Sequence, residues 1–136
     1  MKTLDQIRAA GAYEAMARAR DETVELARGL PSMLQQNGLL AVWAFLLSKG
    51  GDHLALAGQL LDHLRKLERL PRIPGGANPQ SAFLAWVGAA DAPGLAGHQL
   101  RDLTAEALAF AGWLKRAAEA GAAGDGSPSR AGTGSG

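Results

Sequence analysis

Along most of this chain the apolar positions recur at spacings of three and four, the period of a helix with one face turned to a core. Leu100, Leu103, Ala107, Phe110 and Leu114 form one such stripe, and Ala57, Leu60, Leu61, Leu64 and Leu67 another. No segment shows the alternation of a half-buried strand. One stretch departs from the pattern: Leu39 to Leu47 is an unbroken apolar run inside Leu30–Lys49. A membrane span needs about 20 such residues. A buried strand is the other reading of so short a run, but it is rich in Leu and Ala and flanked by helix signals at both ends, so it reads as a helix apolar on all sides. Such a helix must be covered all round, either at the centre of a bundle or by the bundle on one side and a partner on the other. The second case predicts that part of Leu39–Leu47 stays exposed in the isolated chain.

Start and stop signals divide the rest. Thr3-x-x-Gln6 is a capping box for a long amphipathic helix over 3–28, closed by Gly29. Along it Glu14–Arg18 and Arg18–Glu22 have the i,i+4 spacing of helical ion pairs. Pro31 in a first turn, with Ser32-x-x-Gln35 as a second capping box, opens the central helix. That helix runs to Lys49, and Gly38 in its interior suggests close approach of a neighbouring helix, since glycine costs about 1 kcal/mol relative to alanine there. Asp52 caps a helix reaching about Leu70. Residues 71–79, with three prolines and two glycines, form a loop, and Asn78-Pro79 starts a short helix through Val87. Gly88 to Gly94 interrupts, and a last helix covers 94–119. The expected fold class is all-α, a compact bundle of about five helices over 1–120. The Gly/Ala/Ser-rich tail, 121–136, lacks large apolar residues and is expected to be disordered.

Composition removes several function classes. There is no cysteine, so disulfides and thiolate metal sites are excluded. The start, Met1-Lys2-Thr3-Leu4-Asp5, does not resemble a signal peptide, which points to a cytoplasmic protein with no membrane role. Net charge is +1, so an electrostatic partner must be held by a local patch. His53, His63 and His98 have no metal-ligand spacing and read as surface or boundary residues. No nucleophile turn or phosphate loop occurs, and carboxylates are matched to basic neighbours along the helices. The chain therefore reads as no enzyme, with no cofactor and no metal. Two features remain that could bind. Arg65, Lys66, Arg69 and Arg72, with His63 nearby, form a basic set turned away from the apolar stripe of their helix, which suits either phosphates or solvent. Trp43, Trp86 and Trp113 could stack on bases, but each lies in an apolar helix segment, where core packing is the stronger explanation.

The central stretch, Leu-Pro-Ser-Met-Leu-Gln-Gln-Asn-Gly-Leu-Leu-Ala-Val-Trp-Ala-Phe-Leu followed by Lys49, resembles the small helical subunit of the type III-B CRISPR effector, the Cmr complex. That family carries a proline, a hydrophobic pair, then Asn-Gly-Leu and an apolar segment ending in Ala-Phe with a lysine soon after. The segment Phe110-Ala-Gly-Trp-Leu-Lys-Arg-Ala-Ala-Glu-Ala120 is similar to the family's closing aromatic-x-x-Trp-Leu-Lys-Arg segment. The resemblance covers residues 3–120. It implies a non-catalytic subunit in antiviral defence, whose copies stack beside the backbone subunits and line the groove where guide RNA and target RNA pair. The implied partners are other effector subunits, neighbouring copies of itself, and the guide and target RNA. Lys49, Lys115 and Arg116 are then the motif cations for phosphates, with Arg65, Lys66, Arg69 and Arg72 added from spacing alone. Pro31, Asn37, Gly38, Leu39, Phe45 and Trp113 are the motif residues for packing or subunit contact. The alternative is a helical protein–protein adaptor with no nucleic-acid role.

Overall fold

A computed structural model describes residues 1–125 of the chain. They form six helices, α1 (Leu4–Arg18), α2 (Asp21–Asn37), α3 (Leu39–Lys49), α4 (Gly51–Lys66), α5 (Pro79–Val87) and α6 (Gly97–Asp125). No strand occurs among the described residues, so the all-α expectation holds with one helix more than anticipated. α6 continues to Asp125, past the expected end of the domain, and the remainder of the expected tail lies outside the described residues.

α6, about 44 Å long at 1.5 Å per residue, is the spine. α1 runs parallel to it: Arg8 meets Glu106, Gly11 faces Phe110, and Met16 lies near Ala117. α2 runs the opposite way, its start beside Ala117 to Gly121 and its end beside Leu100 to Leu108. α3 and α4 fold back as a hairpin. The Thr23 hydroxyl donates to Asp52 at 2.8 Å, joining the start of α4 to the start of α2. α5 closes the side, where Trp43 and Trp86 meet edge to face at 4.8 Å and the Trp43 indole N–H donates to the Pro79 carbonyl at 2.8 Å. Both rings are buried, as their apolar surroundings suggested.

Several expected helix boundaries need correction. The 3–28 helix is broken at Ala19 and Arg20, both extended, because the chain must reverse from parallel to antiparallel along α6. This break separates Arg18 from Glu22, and neither expected i,i+4 pair is among the ion pairs formed; Arg20 reaches Glu22 and Asp52 instead. The break expected at Gly29–Pro31 is absent, and Pro31 and Ser32 lie inside α2. A proline in a helix interior costs about 3 kcal/mol. The buried stripe Thr23, Ala27, Leu30 and Leu34 runs straight past it, and burying two leucines at about 1.5–3 kcal/mol each offsets that cost.

The real break is Gly38, with φ +82° and ψ 168°, a region open essentially to glycine alone. Its N–H closes α2 on the Leu34 carbonyl, and its own carbonyl receives Val42 N–H to open α3. A Cβ at Gly38 would meet nothing within 4 Å, so backbone conformation, and not a close helix approach, requires the glycine. At the next corner Gly50 plays the cap role expected of Asp52, which sits in the first turn of α4. Two expected caps stand: Thr3 with Gln6, and Asn78 with Ser81 ahead of Pro79.

α3 buries Leu39, Val42, Trp43 and Leu46 in the core. Ala41, Ala44 and Phe45 remain exposed, Phe45 at 39%, so the apolar run is covered on one side only.

Candidate functional site

The bundle interior holds a charge network that sequence spacing did not reveal. Glu106 on α6 is 1% exposed. It accepts two hydrogen bonds from Arg8 of α1, Nε to Oε2 at 2.8 Å and Nη2 to Oε1 at 2.7 Å. His63 of α4 bonds Oε2 through Nε2 at 2.8 Å, and Arg69 bonds Oε1. His63 is itself 1% exposed and stacks flat on Phe110 at 4.0 Å. Its assignment as a surface or boundary residue is therefore wrong. Glu106 likewise pairs across elements and not with neighbours along its own helix. The signal in the sequence was faint: Glu106 falls one position before Ala107, on the edge of the α6 stripe, where a carboxylate is buried only if paired.

The electrostatics follow from this geometry. Burial opposes charge on Glu106, but hydrogen bonds from Arg8 and His63 outweigh it and hold the carboxyl below its ordinary range. Burial lowers the His63 imidazole, against the pull of Glu106. The hydrogen bond to Glu106 raises the Arg8 guanidinium further, burial opposing it. Removing the Glu106 charge from such a cluster costs about 3–5 kcal/mol, because the Arg8 guanidinium stays largely buried and charged beside it.

The basic set expected on one helical face is divided. α4 stops at Lys66 and Leu67 is extended, so Arg69 and Arg72 lie beyond the helix. Arg65 donates to the Ala77 carbonyl at 2.7 Å and bonds Asp62 at 3.2 Å, pinning the 71–79 loop to α4. Arg69 is occupied by Glu106. Lys66 and Arg72 are exposed. The motif cations lie toward the other end of the bundle. Lys49 ends α3, three positions before Asp52, which is bonded to the start of α2. Lys115 and Arg116 sit late on α6, the part that flanks the start of α2. All three are exposed, and two lie over aromatic rings: Lys49 Nζ is 5.7 Å from the Phe45 centroid, and the Arg116 guanidinium carbon 5.0 Å from that of Trp113. Trp113 is half-buried beneath Arg116.

The exposed α3 face continues onto α4. Phe45 meets His53 edge to face at 5.5 Å, and Leu54 is also exposed. Asn37, Gly38, Leu39, Leu40 and Ala41 line an apolar groove of about 570 Å³ against Leu100 to Leu108 of α6. Pro31 is half-buried within α2. Among the described residues no group of three or more His, Cys, Asp or Glu could hold a metal ion, and no helix is long and apolar enough to cross a membrane.

Comparison with known proteins bears on this arrangement. Residues 4–121 match the family model described as CRISPR-associated protein (Cas_Cmr5). A crystal structure of a CRISPR-associated Cmr5 family protein from Thermus thermophilus superposes with a TM-score of 0.67 at 32% identity. The match covers 88% of this chain and 97% of that one. No curated protein matches the sequence. Both segments that carried the resemblance, Leu30–Lys49 and 110–120, lie within the matched region.

Proposed function

Since this chain belongs to the Cmr5 family of CRISPR-associated proteins, we propose that it is a non-catalytic structural subunit of the type III-B effector, the Cmr complex, working in the cytoplasm. The observation that carries this reading is the half-covered α3. A helix whose outer face presents Ala41, Ala44 and Phe45 to solvent, beside exposed Leu54, supplies the apolar centre that subunit interfaces need. That face meets a backbone subunit or the next copy in the stack.

The RNA contact follows from the cations left free at one end. Lys49, Lys115 and Arg116 are exposed and held over aromatic rings or on a rigid helix, and they neutralise phosphates without reading bases. Pairing between guide and target carries the sequence information, so a backbone groove suffices. Lys66 and Arg72 are secondary contacts. Arg65 and Arg69 contribute less, since their guanidinium groups are committed to Ala77, Asp62 and Glu106.

The test separates the two surfaces. Phe45→Glu is expected to abolish co-purification with the other effector subunits while leaving the fold intact. Lys115→Glu with Arg116→Glu is expected to leave assembly intact but weaken target RNA capture, the deficit growing at low salt. Unchanged capture sinks the RNA assignment and favours the adaptor with no nucleic-acid role. Unchanged assembly in Phe45→Glu sinks the α3 interface.

A further inference from the structure

The chain contains two asparagines, Asn37 and Asn78, and the residue after each decides its chemistry. Asn78 precedes Pro79, whose nitrogen carries no hydrogen and is blocked from attacking the side-chain amide. Asn37 precedes Gly38. Glycine has an N–H and no Cβ to crowd it, so its nitrogen reaches the preceding side-chain carbonyl carbon once the backbone is free to turn.

The fold holds this pair one step short of reaction. Asn37 is exposed, so water and hydroxide reach it. The Gly38 N–H donates to the Leu34 carbonyl at 2.9 Å, which engages the proton that must leave. Asn37 Nδ2 donates to the Met33 carbonyl at 3.2 Å, which turns the side chain back along α2 and away from Gly38. Asn37 is also the last helical residue of α2. Helical backbone has ψ of about −42°, and closing a five-membered ring between Asn37 Cγ and the Gly38 nitrogen requires it to leave that region.

All three restraints sit in the final turn of one helix, and final turns open at little cost. Past Leu34 no residue of α2 is buried: Gln35, Gln36 and Asn37 are exposed, and Gly38 beyond them is half-buried. Upstream, Pro31 supplies no N–H to the ladder, so the end of α2 hangs on fewer bonds than its length suggests.

We propose that Asn37-Gly38 is a self-modification site, at which the folded chain turns Asn37 into aspartate and isoaspartate through openings of the last turn of α2. Opening frees the Gly38 N–H, solvent hydroxide takes its proton, and the nitrogen attacks Asn37 Cγ. The new N–Cγ bond replaces the Cγ–Nδ2 bond, and Nδ2 takes a proton from water and leaves as ammonia. Water then opens the succinimide at either carbonyl. Opening at Cγ leaves an aspartate side chain, and opening at the main-chain carbonyl routes the backbone through Cγ as isoaspartate. The product puts a carboxylate at the negative end of the α2 dipole, on the rim of the groove lined by Asn37 to Ala41. Isoaspartate also adds one methylene to the corner that aims α3. The site depends on neither the RNA reading nor the assembly reading.

The test incubates the intact protein at neutral pH, folded in buffer and unfolded in urea, and follows the tryptic peptide 29–49, in which Asn37 is the one asparagine. Conversion raises the peptide mass by one unit, and fragment ions place the change at Asn37. Asn78 is expected to stay an amide in both states. Conversion in the folded protein is expected to run about tenfold to a thousandfold slower than in urea, the range of openings short of global unfolding. A ratio below that range would show that the helix end imposes no lock, and a ratio above it would show that only whole-chain unfolding releases the site; either overturns the proposal. Hydrogen exchange at the Gly38 amide reads the same opening, so its protection is expected to agree with that ratio within about tenfold. A wider gap would overturn the last turn of α2 as the gate.

Discussion

Replacing Glu106 by glutamine keeps the shape of the side chain and removes its charge, which isolates the electrostatic part of the network. In the native fold the carboxylate takes two of the three Arg8 hydrogen bonds, the His63 N–H and Arg69. The amide of Glu106→Gln has one acceptor oxygen, and its NH₂ group is forced against donors. Arg8 and His63 then lose their partner inside the bundle, and Arg8 keeps only its bond to the exposed Asp5 at 2.9 Å. Breaking a buried pair from one side costs about 3–5 kcal/mol. Arg69 softens this, because it is about half exposed (52%) and can turn to water. The expected loss is therefore about 3 kcal/mol. For a domain of this size that is roughly 10 °C in Tm. Urea unfolding followed by circular dichroism measures it, and the m value is expected to stay constant because the fold is unchanged. Arg69→Ala serves as the control and is expected to cost no more than about 1 kcal/mol, the range of a solvent-screened pair. A Glu106→Gln loss below about 1 kcal/mol, equal to the control, would refute the claim that Glu106 is a buried, fully charged hub.

Acid is expected to weaken the fold in two stages. The His63 value is lowered in the folded state by burial, so protonation favours the unfolded chain. That contribution is complete above the ordinary histidine value of 6.5 and is lost as pH falls below it. Glu106 is also lowered, so its contribution is present above 4.5 and disappears as pH falls through its folded value. His63→Gln is expected to flatten the profile between about pH 7 and 5, while an unchanged slope would place the titration elsewhere. Gly38→Ala forces a side chain into φ +82° and is expected to cost about 1–3 kcal/mol without perturbing the core; a neutral outcome would show that the corner relaxes freely. Trp43→Phe removes the bond to the Pro79 carbonyl and is expected to cost about 1–3 kcal/mol, read by thermal melting.

The fold class was legible because the stripes of α4 and α6 repeat cleanly and because Thr3 and Asn78-Pro79 are local signals whose partners lie three residues away. The breaks were not. Gly29-Leu30-Pro31 is a stronger stop signal than Ala19-Arg20, yet the chain runs helically through the first and turns at the second. Local propensity of about 3 kcal/mol at Pro31 lost to the burial of Leu30 and Leu34 against α6, and a turn forced by the reversal along α6 needs no glycine or proline. Gly38 was visible but assigned the wrong cause, since a positive φ and a close approach leave the same residue in the sequence.

The candidate site divides along the same line. Motif cations were found through resemblance, and their exposure follows from short-range helix geometry. The Arg65–Arg72 set was read as one face because α4 was extended too far. Once the helix ends at Lys66, Arg69 is free to turn inward, and its partner lies 37 positions away on α6. No periodicity argument reaches that far: the hub exists only because α1, α4 and α6 converge. The α3 face and the Glu106 hub are therefore of different kinds. The α3 face was foreseeable because too much apolar sequence must be covered by something, whereas the hub is a property of the packing alone. A substitution in α3 that preserves the core face, such as Phe45→Glu, thus separates assembly from stability, while substitutions at Glu106 read stability. That asymmetry lets the assembly reading and the hub reading fail independently.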